Sequence, residues 1–438
     1  MNNRLHDKSS RLAWLNAEFR NALKNGELPT RSEEVNNHVH SCYSFSPYNP
    51  SMIAYRAWQA GLQAVGIMDH DSFAGAAELV EACKILGLGS TCGIELRVNA
   101  EGTGMNGRSL NNPGSSGIFY MAIHGIPLRE HERVADFLKP IQAARNERNR
   151  RQVEKLNGII SSYGVSAIDF ENDVFNYSEA ASGGSITERH ILYALAVKLT
   201  EYFGRGTALV DGLRGKFALN IPSGVEKNLT DADNPHYLYD LLGFLKSCFQ
   251  PRFFIQPNTD ECINVKKAVD FACSVGAIPA YAYLGDVDES PTGDKAAEKF
   301  EDDFLDELMV ELKKMGFLAV TFMPPRNSLE QLQRVMNLCE EHGFMQISGV
   351  DINSSRQSFS CPEVLLPEFK HLNKSTWALI AHEKIENELP GAGLFSRASI
   401  APDGLDLKGR IDYFAGLGVD LDLHRLNVAE VISQGEDE

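Results

Sequence analysis

The chain has 438 residues, 43% of them hydrophobic and 23% charged, which gives enough apolar content for a large core and excludes global disorder. With 59 acidic and 42 basic residues the formal net charge is −17, which argues against extended nucleic acid as a partner and leaves room only for a local basic groove. No run approaches the roughly 18 apolar residues of a membrane span, and the opening MNNRLHDKSSRLAW is too charged for a secretory signal, so the expectation is a soluble, cytoplasmic protein.

In chain order, Leu12, Leu15, Phe19 and Leu23 recur at helical spacing until Asn25-Gly26 and Pro29 stop the pattern. From Val35 the rhythm alternates between short apolar runs and helical patterns. Strands are expected at 36–40, 64–68 and 91–98, with helices at 52–60 and 74–86 between them, the mark of parallel βα units. Residues 99–117, rich in Gly, Asn and Ser, read as a loop before a strand over 118–126. A helix over 140–156 carries Arg145, Arg148 and Arg151 at three-residue spacing, read as a solvated face. A mostly helical stretch then runs to about residue 260. The βα rhythm returns with strands at 277–284, 318–323 and 345–349 and helices at 296–314 and 328–342, and the last seventy or so residues read as peripheral helices with an acidic end. The eight cysteines form no CxxC pair, and reduced core thiols are expected.

Polar residues suited to metal ligation end several of these strands. His38-Val-His40 puts two imidazoles on one face of the first strand. The second ends in Asp69-His70-Asp71, the third in Gly93-Ile94-Glu95, the fourth at His124, and the last in Gly349-Val350-Asp351-Ile352-Asn353. Each element alone is a weak signal, but their order is specific. Strand ends converge on one pocket in α/β barrels, and histidines with carboxylates there suit Mn, Zn or Fe.

The phrases NNHVHSCYSFSP, GIMDHDSFAGAAEL and CGIELRV, followed by a strand-borne His and a late Asp, resemble the PHP (polymerase and histidinol phosphatase) family over roughly residues 35–130 and 265–355. The resemblance implies an α/β fold, a distorted (β/α)7 TIM-like barrel, with up to three divalent metal ions and hydrolysis of phosphate esters. It implies a barrel over 35–365, a largely helical insertion at about 139–260, an N-terminal helical extension over 1–34 and a C-terminal one over 366–438. By motif position, His38, His40, Glu95 and Asp351 would hold a first ion. Glu95 would bridge to a second that includes His124, and His70 would serve a third. Glu95, His124 and Asp351 are then the residues expected to act in catalysis.

Three positions depart from the family pattern. Tyr283 stands where an Ala-His-Pro histidine is usual, Asn353 replaces the His of a terminal Asp-x-His, and Ser44-Phe45-Ser46 replaces a ligand in the first loop. One firm ion site, a weaker second and no dependable third are therefore expected, with Asp286 as a substitute ligand. Tyr283 and Asn353 are expected to face the substrate instead. Arg189 and His190, in Thr187-Glu188-Arg189-His190, resemble a phosphate-binding pair, and Arg326 and Arg356 are further candidates for substrate binding; Glu78 reads as structural. The leading expectation is a metal-dependent hydrolase of a small phosphomonoester or nucleotide. The alternatives are a degenerate domain that binds metal or nucleotide without catalysis, and an exonuclease on short oligonucleotides.

Overall fold

The computed structural model describes residues 7–112, 114–287, 299–422 and 428. Helix α1 (Lys8–Asn25) leads into strand β1 (Val35–Val39), α2 (Pro50–Gln59), β2 (Ala64–His70), α3 (Ala76–Leu86), β3 (Gly89–Asn99) and β4 (Ile118–His124). Then come α4 (His131–Ser161), α5 (Glu188–Phe203), α6 (Thr207–Phe217), α7 (Ser223–Thr230) and α8 (Tyr237–Phe253). The sheet resumes with β5 (Ile263–Asn264), α9 (Val265–Ser274), β6 (Ile278–Ala282), α10 (Leu305–Met315), β7 (Ala319–Phe322), α11 (Leu329–His342) and β8 (Met345–Ser348), and α12 (Lys370–Glu388) and α13 (Leu407–Asp422) follow. No helix of the described residues is long and apolar enough to cross a membrane.

Seven strands run in the order β1-β2-β3-β4-β6-β7-β8, with the short β5 added on β3. The sheet curls almost shut. Beyond β8, Ile352 bridges Val39 in parallel, with His40 N on Ile352 O at 2.9 Å and Ile352 N on His38 O at 3.2 Å. The result is the expected barrel-like α/β fold. One strand breaks the parallel rule: β4 pairs antiparallel to both β3 and β6. An apolar run such as IFYMAIH carries no mark of its direction, so alternation alone does not reveal this reversal.

Alternation divides the side chains of each strand between two cores. Cys92, Ile94, Leu96 and Val98 of β3 join the outer core under the surrounding helices, whereas Ala64 and Met68 of β2, Ala122 of β4 and Ala280 of β6 belong to the inner one. A shift of register between Asn36 and Val39 bends β1, and Val39 joins the outer core just before its chain closes on Ile352. The C-terminal helices are more than peripheral. Trp377, Ile380 and Ala381 of α12 pack with Val35, Ala64 and Ile278, residues that open β1, β2 and β6, so α12 stops the lower end of the barrel. Thr376 accepts from Asn37 Nδ2 at 2.8 Å, and Glu383 accepts from Cys92 N at 2.7 Å. At the other terminus, Glu78 takes Arg11 Nε at 2.8 Å and Ser51 Oγ at 2.7 Å, tying α1 to α2 and α3 in the structural role expected of it.

The helix expected to begin at Pro140 begins at His131, and Pro140 lies inside α4. The expected helix over 296–314 is α10, beginning at Leu305; the part of that expectation before residue 299 lies outside the described residues. Helices α4 to α8 share a core of their own, running from Val153 to Phe253 and including Phe45 from the loop after β1. Phe45 has φ +86°, unusual for a side chain of its size and worth about 1–3 kcal/mol of strain. Its burial, 2% exposed against His190, Tyr193 and Tyr239, returns roughly 1.5–3 kcal/mol. The ring faces helices α5 and α8.

Candidate metal centre

Among the described residues, ligand atoms of His38, His40 and Asp351 lie within 4.8 Å of one another, as do those of His40, His70 and Glu95. The sheet explains why: β1, β2 and β3 end together, and the turn after β8 brings Asp351 beside β1. His40 Nε2 is 3.2 Å from Asp351 Oδ1 and 3.9 Å from Glu95 Oε2; His38 Nε2 is also 3.9 Å from Glu95 Oε2, and His70 Nδ1 is 3.0 Å from it.

Hydrogen bonds behind the imidazoles fix one tautomer. Ser44 Oγ donates its proton to Asp69 Oδ1 at 2.5 Å, so it can only accept from His40 Nδ1 at 3.2 Å. Asp69 is held in turn by Ser41 N at 2.7 Å and Ser41 Oγ at 2.6 Å. With Nδ1 protonated, Nε2 of His40 points a lone pair at the Asp351 carboxylate and has no hydrogen-bond partner. Two acceptors facing at 3.2 Å need a cation between them, either a proton or a metal ion. The donor set of imidazoles and carboxylates fits a divalent transition ion.

The electrostatics are those of a crowded, buried group of ligands. Burial, eased in part by His40, pushes the Glu95 carboxyl up to about 8. Burial with His40 alongside pushes His38 down to about 4, and burial carries His70 well below the ordinary histidine value. For His40 the same burial is outweighed by Asp351, and its basicity rises. Asp351 shows the converse: burial would raise it, but His40 and His38 hold it well below the usual carboxylate range.

His124 falls outside both ligand groups but stays within electrostatic reach of His38. Because β4 is reversed, the residue opposite Glu95 is Ala122, and His124 pairs with Ile278 at the start of β6, toward the floor of the barrel. It is 1% exposed, its Nε2 has no hydrogen-bond partner, and burial pushes it down to about 3. On β4, the residue beside His70 is Tyr120, with ring centroids 5.6 Å apart.

The other candidates divide. Asn353 donates from Nδ2 to Asp351 Oδ1 at 2.8 Å, and its carbonyl accepts from Arg189 Nη2 at 3.2 Å. Arg189 lies over the Phe45 ring at 5.2 Å, with its Nε buried and unbonded. These two residues therefore border the centre. His190 turns back on its own helix, where Nδ1 accepts from Thr187 N at 3.0 Å.

Four residues expected at the centre are engaged elsewhere. Tyr283 lies in the outer core and donates its phenol to Asp302 Oδ1 at 2.6 Å, away from both ligand groups. Its neighbour Asp286 is occupied by Phe300 N at 2.7 Å and Lys299 at 3.0 Å, and belongs to neither ligand group. Arg326 is held to the Leu284 carbonyl at 3.1 Å, and Arg356 forms a two-pronged pair with Asp240 of α8 at 2.6 and 2.7 Å.

The arginine row of α4 is also not solvated. Arg145 and Arg148 are 3% and 2% exposed, and only Arg151 reaches solvent. Glu261 accepts from Arg97 Nη2 at 2.5 Å, Arg145 Nε at 3.1 Å and Arg148 Nε at 2.5 Å. Glu188 takes Arg148 at 2.7 Å, and Asp71 takes Arg145 at 2.6 Å. Helical spacing shows which residues share a face but not what covers it. Here the cover is Glu261, more than a hundred residues further along the chain.

Several known proteins are similar to parts of this chain. A stretch of 74 residues is 34% identical to a 5′-3′ exoribonuclease of Haemophilus influenzae, covering 17% of this chain and 27% of that relative's length. A provisionally assigned metal-dependent phosphoesterase from Bifidobacterium adolescentis superposes with a TM-score of 0.47 at 18% identity, over 76% of this chain and 92% of the other. An amidohydrolase from Chromobacterium violaceum, with sulfate bound and no metal, gives 0.46 at 17% identity over 77% and 95%. The PHP domain model matches residues 36–260, just over half of the chain. With that match and its strand-end histidines and carboxylates, the chain belongs to the PHP domain family.

Proposed function

We propose that this chain is a metal-dependent hydrolase of phosphate esters, acting on a small phosphomonoester or a nucleotide. His38, His40 and Asp351 would hold the ion, with Glu95 beside them. The observation that carries the reading is the His40 Nε2–Asp351 Oδ1 approach of 3.2 Å, which needs a cation to be stable. When bound, a manganese, zinc or iron ion would supply Lewis-acid polarisation of a phosphoryl oxygen and acidify a water. The residues of the chain prepare that event. Asp69 and Ser44 orient His40, Asn353 orients Asp351, and Arg189 offers a fixed cation to the equatorial phosphoryl oxygens.

The test is release of phosphate from an aryl phosphate and a nucleotide panel, titrated with Mn²⁺, together with metal content. Asp351→Ala should lose bound metal and turnover together, because it removes the charged ligand facing His40. A variant that kept both would refute the assignment. A second reading, removal of nucleotides from the 5′ end of short RNA, is favoured by the 74-residue likeness to the Haemophilus exoribonuclease. It predicts turnover of 5′-phosphorylated oligoribonucleotides in preference to the monoester panel.

A further inference from the structure

We infer that Tyr120 is a further catalytic residue, donating a hydrogen bond to the ester oxygen that leaves, and that the substrates are phosphate esters of aliphatic alcohols. The inference deepens the hydrolase reading above and rests on it. Strand alternation fixes where the ring stands. Ala122 of β4 faces the barrel interior opposite Glu95, and Tyr120, two residues earlier, shares that face opposite Arg97. Arg97 lies one same-face step beyond Glu95 toward the end of β3. Tyr120 therefore stands one step above the level of Glu95, with its ring 5.6 Å from that of His70.

That edge is also where the centre opens. The side chains of Asp351 and His70 are 41% and 26% exposed, against 2% for His40, and Tyr120 is half-buried. Asn111 satisfies the main chain of Tyr120, giving Nδ2 to its carbonyl at 2.8 Å and taking its N–H at 2.7 Å. No group among the described residues bonds its hydroxyl. A phenol keeps its proton at neutral pH and so can donate. Behind it, Arg97 is held by Glu261 at 2.5 Å and lies 3.6 Å from Glu188, in a network where three arginines meet three carboxylates. This wall is fixed and carries no net charge. The charged phosphoryl group belongs with the ion and with Arg189, on the side of Asp351. A neutral donor on a neutral wall suits the ester oxygen, which gains charge only as its bond breaks. In that step water adds its oxygen to phosphorus, and the bond from phosphorus to the ester oxygen breaks with its electron pair left on that oxygen. The proton lost by the water ends on the alcohol, and Tyr120 holds the oxygen without giving up its own. Such help matters most for an alkoxide, and little for a leaving group that is already a stable anion.

The test is Tyr120→Phe, which removes the hydroxyl and keeps the ring. With Mn²⁺-loaded protein, kcat/KM for an alkyl phosphate should fall by about 100-fold, whereas that for p-nitrophenyl phosphate should hardly change. By calorimetry, Mn²⁺ affinity should be unchanged, as should the affinity for an alkyl phosphonate, in which CH₂ replaces the ester oxygen. An equal fall for both leaving groups, or no fall for either, would overturn the inference and leave the hydrolase reading standing. Weaker binding of Mn²⁺ or of the phosphonate would do the same, because the hydroxyl would then serve the ligands or the phosphoryl group. Wild-type protein that hydrolysed neither ester would refute the hydrolase reading and the inference together.

Discussion

Replacing Glu261 by Gln removes one negative charge from a buried group of three arginines and three carboxylates while nearly preserving shape. Glu261 is 1% exposed and meets Arg97, Arg145 and Arg148 within 2.5–3.1 Å. The amide retains one acceptor oxygen and places an NH₂ against a guanidinium. Glu188 and Asp71 are then left to offset three buried positive charges. Breaking a buried ion pair by neutralising one partner costs about 3–5 kcal/mol. With an m-value of about 3 kcal/mol per molar, the urea midpoint should fall by roughly 1–1.7 M. The assay is equilibrium urea unfolding followed by tryptophan fluorescence at pH 7. The control is Glu226→Gln, which breaks an exposed pair with Arg214 and should leave the midpoint unmoved. A Glu261→Gln midpoint no lower than that of the control would refute the claim that these arginines are buried and paired.

The same network has an acid signature. Despite burial, arginines depress the carboxyls of Glu261 and Glu188, so their contribution is complete above the unfolded carboxyl value near 4.3 and disappears as pH falls through the lower folded value. The stability gap between the wild type and Glu261→Gln should therefore be full at pH 7 and close progressively below about pH 4, measured by thermal unfolding in a pH series. Ser44→Ala frees the ring of His40 and should weaken Mn²⁺ binding by roughly 10–100-fold in a calorimetric titration, with the fold intact by circular dichroism. Tyr283→Phe should cost about 0.5–1.5 kcal/mol of stability and leave metal affinity and turnover unchanged, because its phenol bonds Asp302 outside the pocket.

Much of the centre was legible because strand alternation is a strong constraint. His38 and His40 two residues apart, Glu95 ending an apolar run, and Asp351 after Gly349 all imply side chains at strand ends facing one pocket, and the structure brings them together. The direction of β4 and the place of Tyr283 were not legible because alternation states which faces are shared, not which way a strand runs or which face is inside. The reversal of β4 set His124 one same-face step below the level of Glu95, within reach of His38, and put Tyr120 beside His70. Tyr283, just past the end of β6, turned to the outer core. Arg145 and Arg148 were misread for another reason. A charged row on a helix looks solvated until a distant carboxylate covers it, and Glu261 does so only after the chain has passed through four further helices.

The helix that stops the barrel arrives last. Val35, Ala64 and Ile278 open their strands with side chains that pack on Trp377, Ile380 and Ala381, residues made after every strand of the sheet. On the ribosome, at about 5–20 residues per second, the sheet is complete many residues before its lower end has a lid. During that interval the interior face of the barrel is an exposed apolar surface, and completion waits on contacts spanning more than three hundred residues of sequence. The nascent barrel should therefore spend its open interval as a client of chaperones, and it closes only once α12 has emerged.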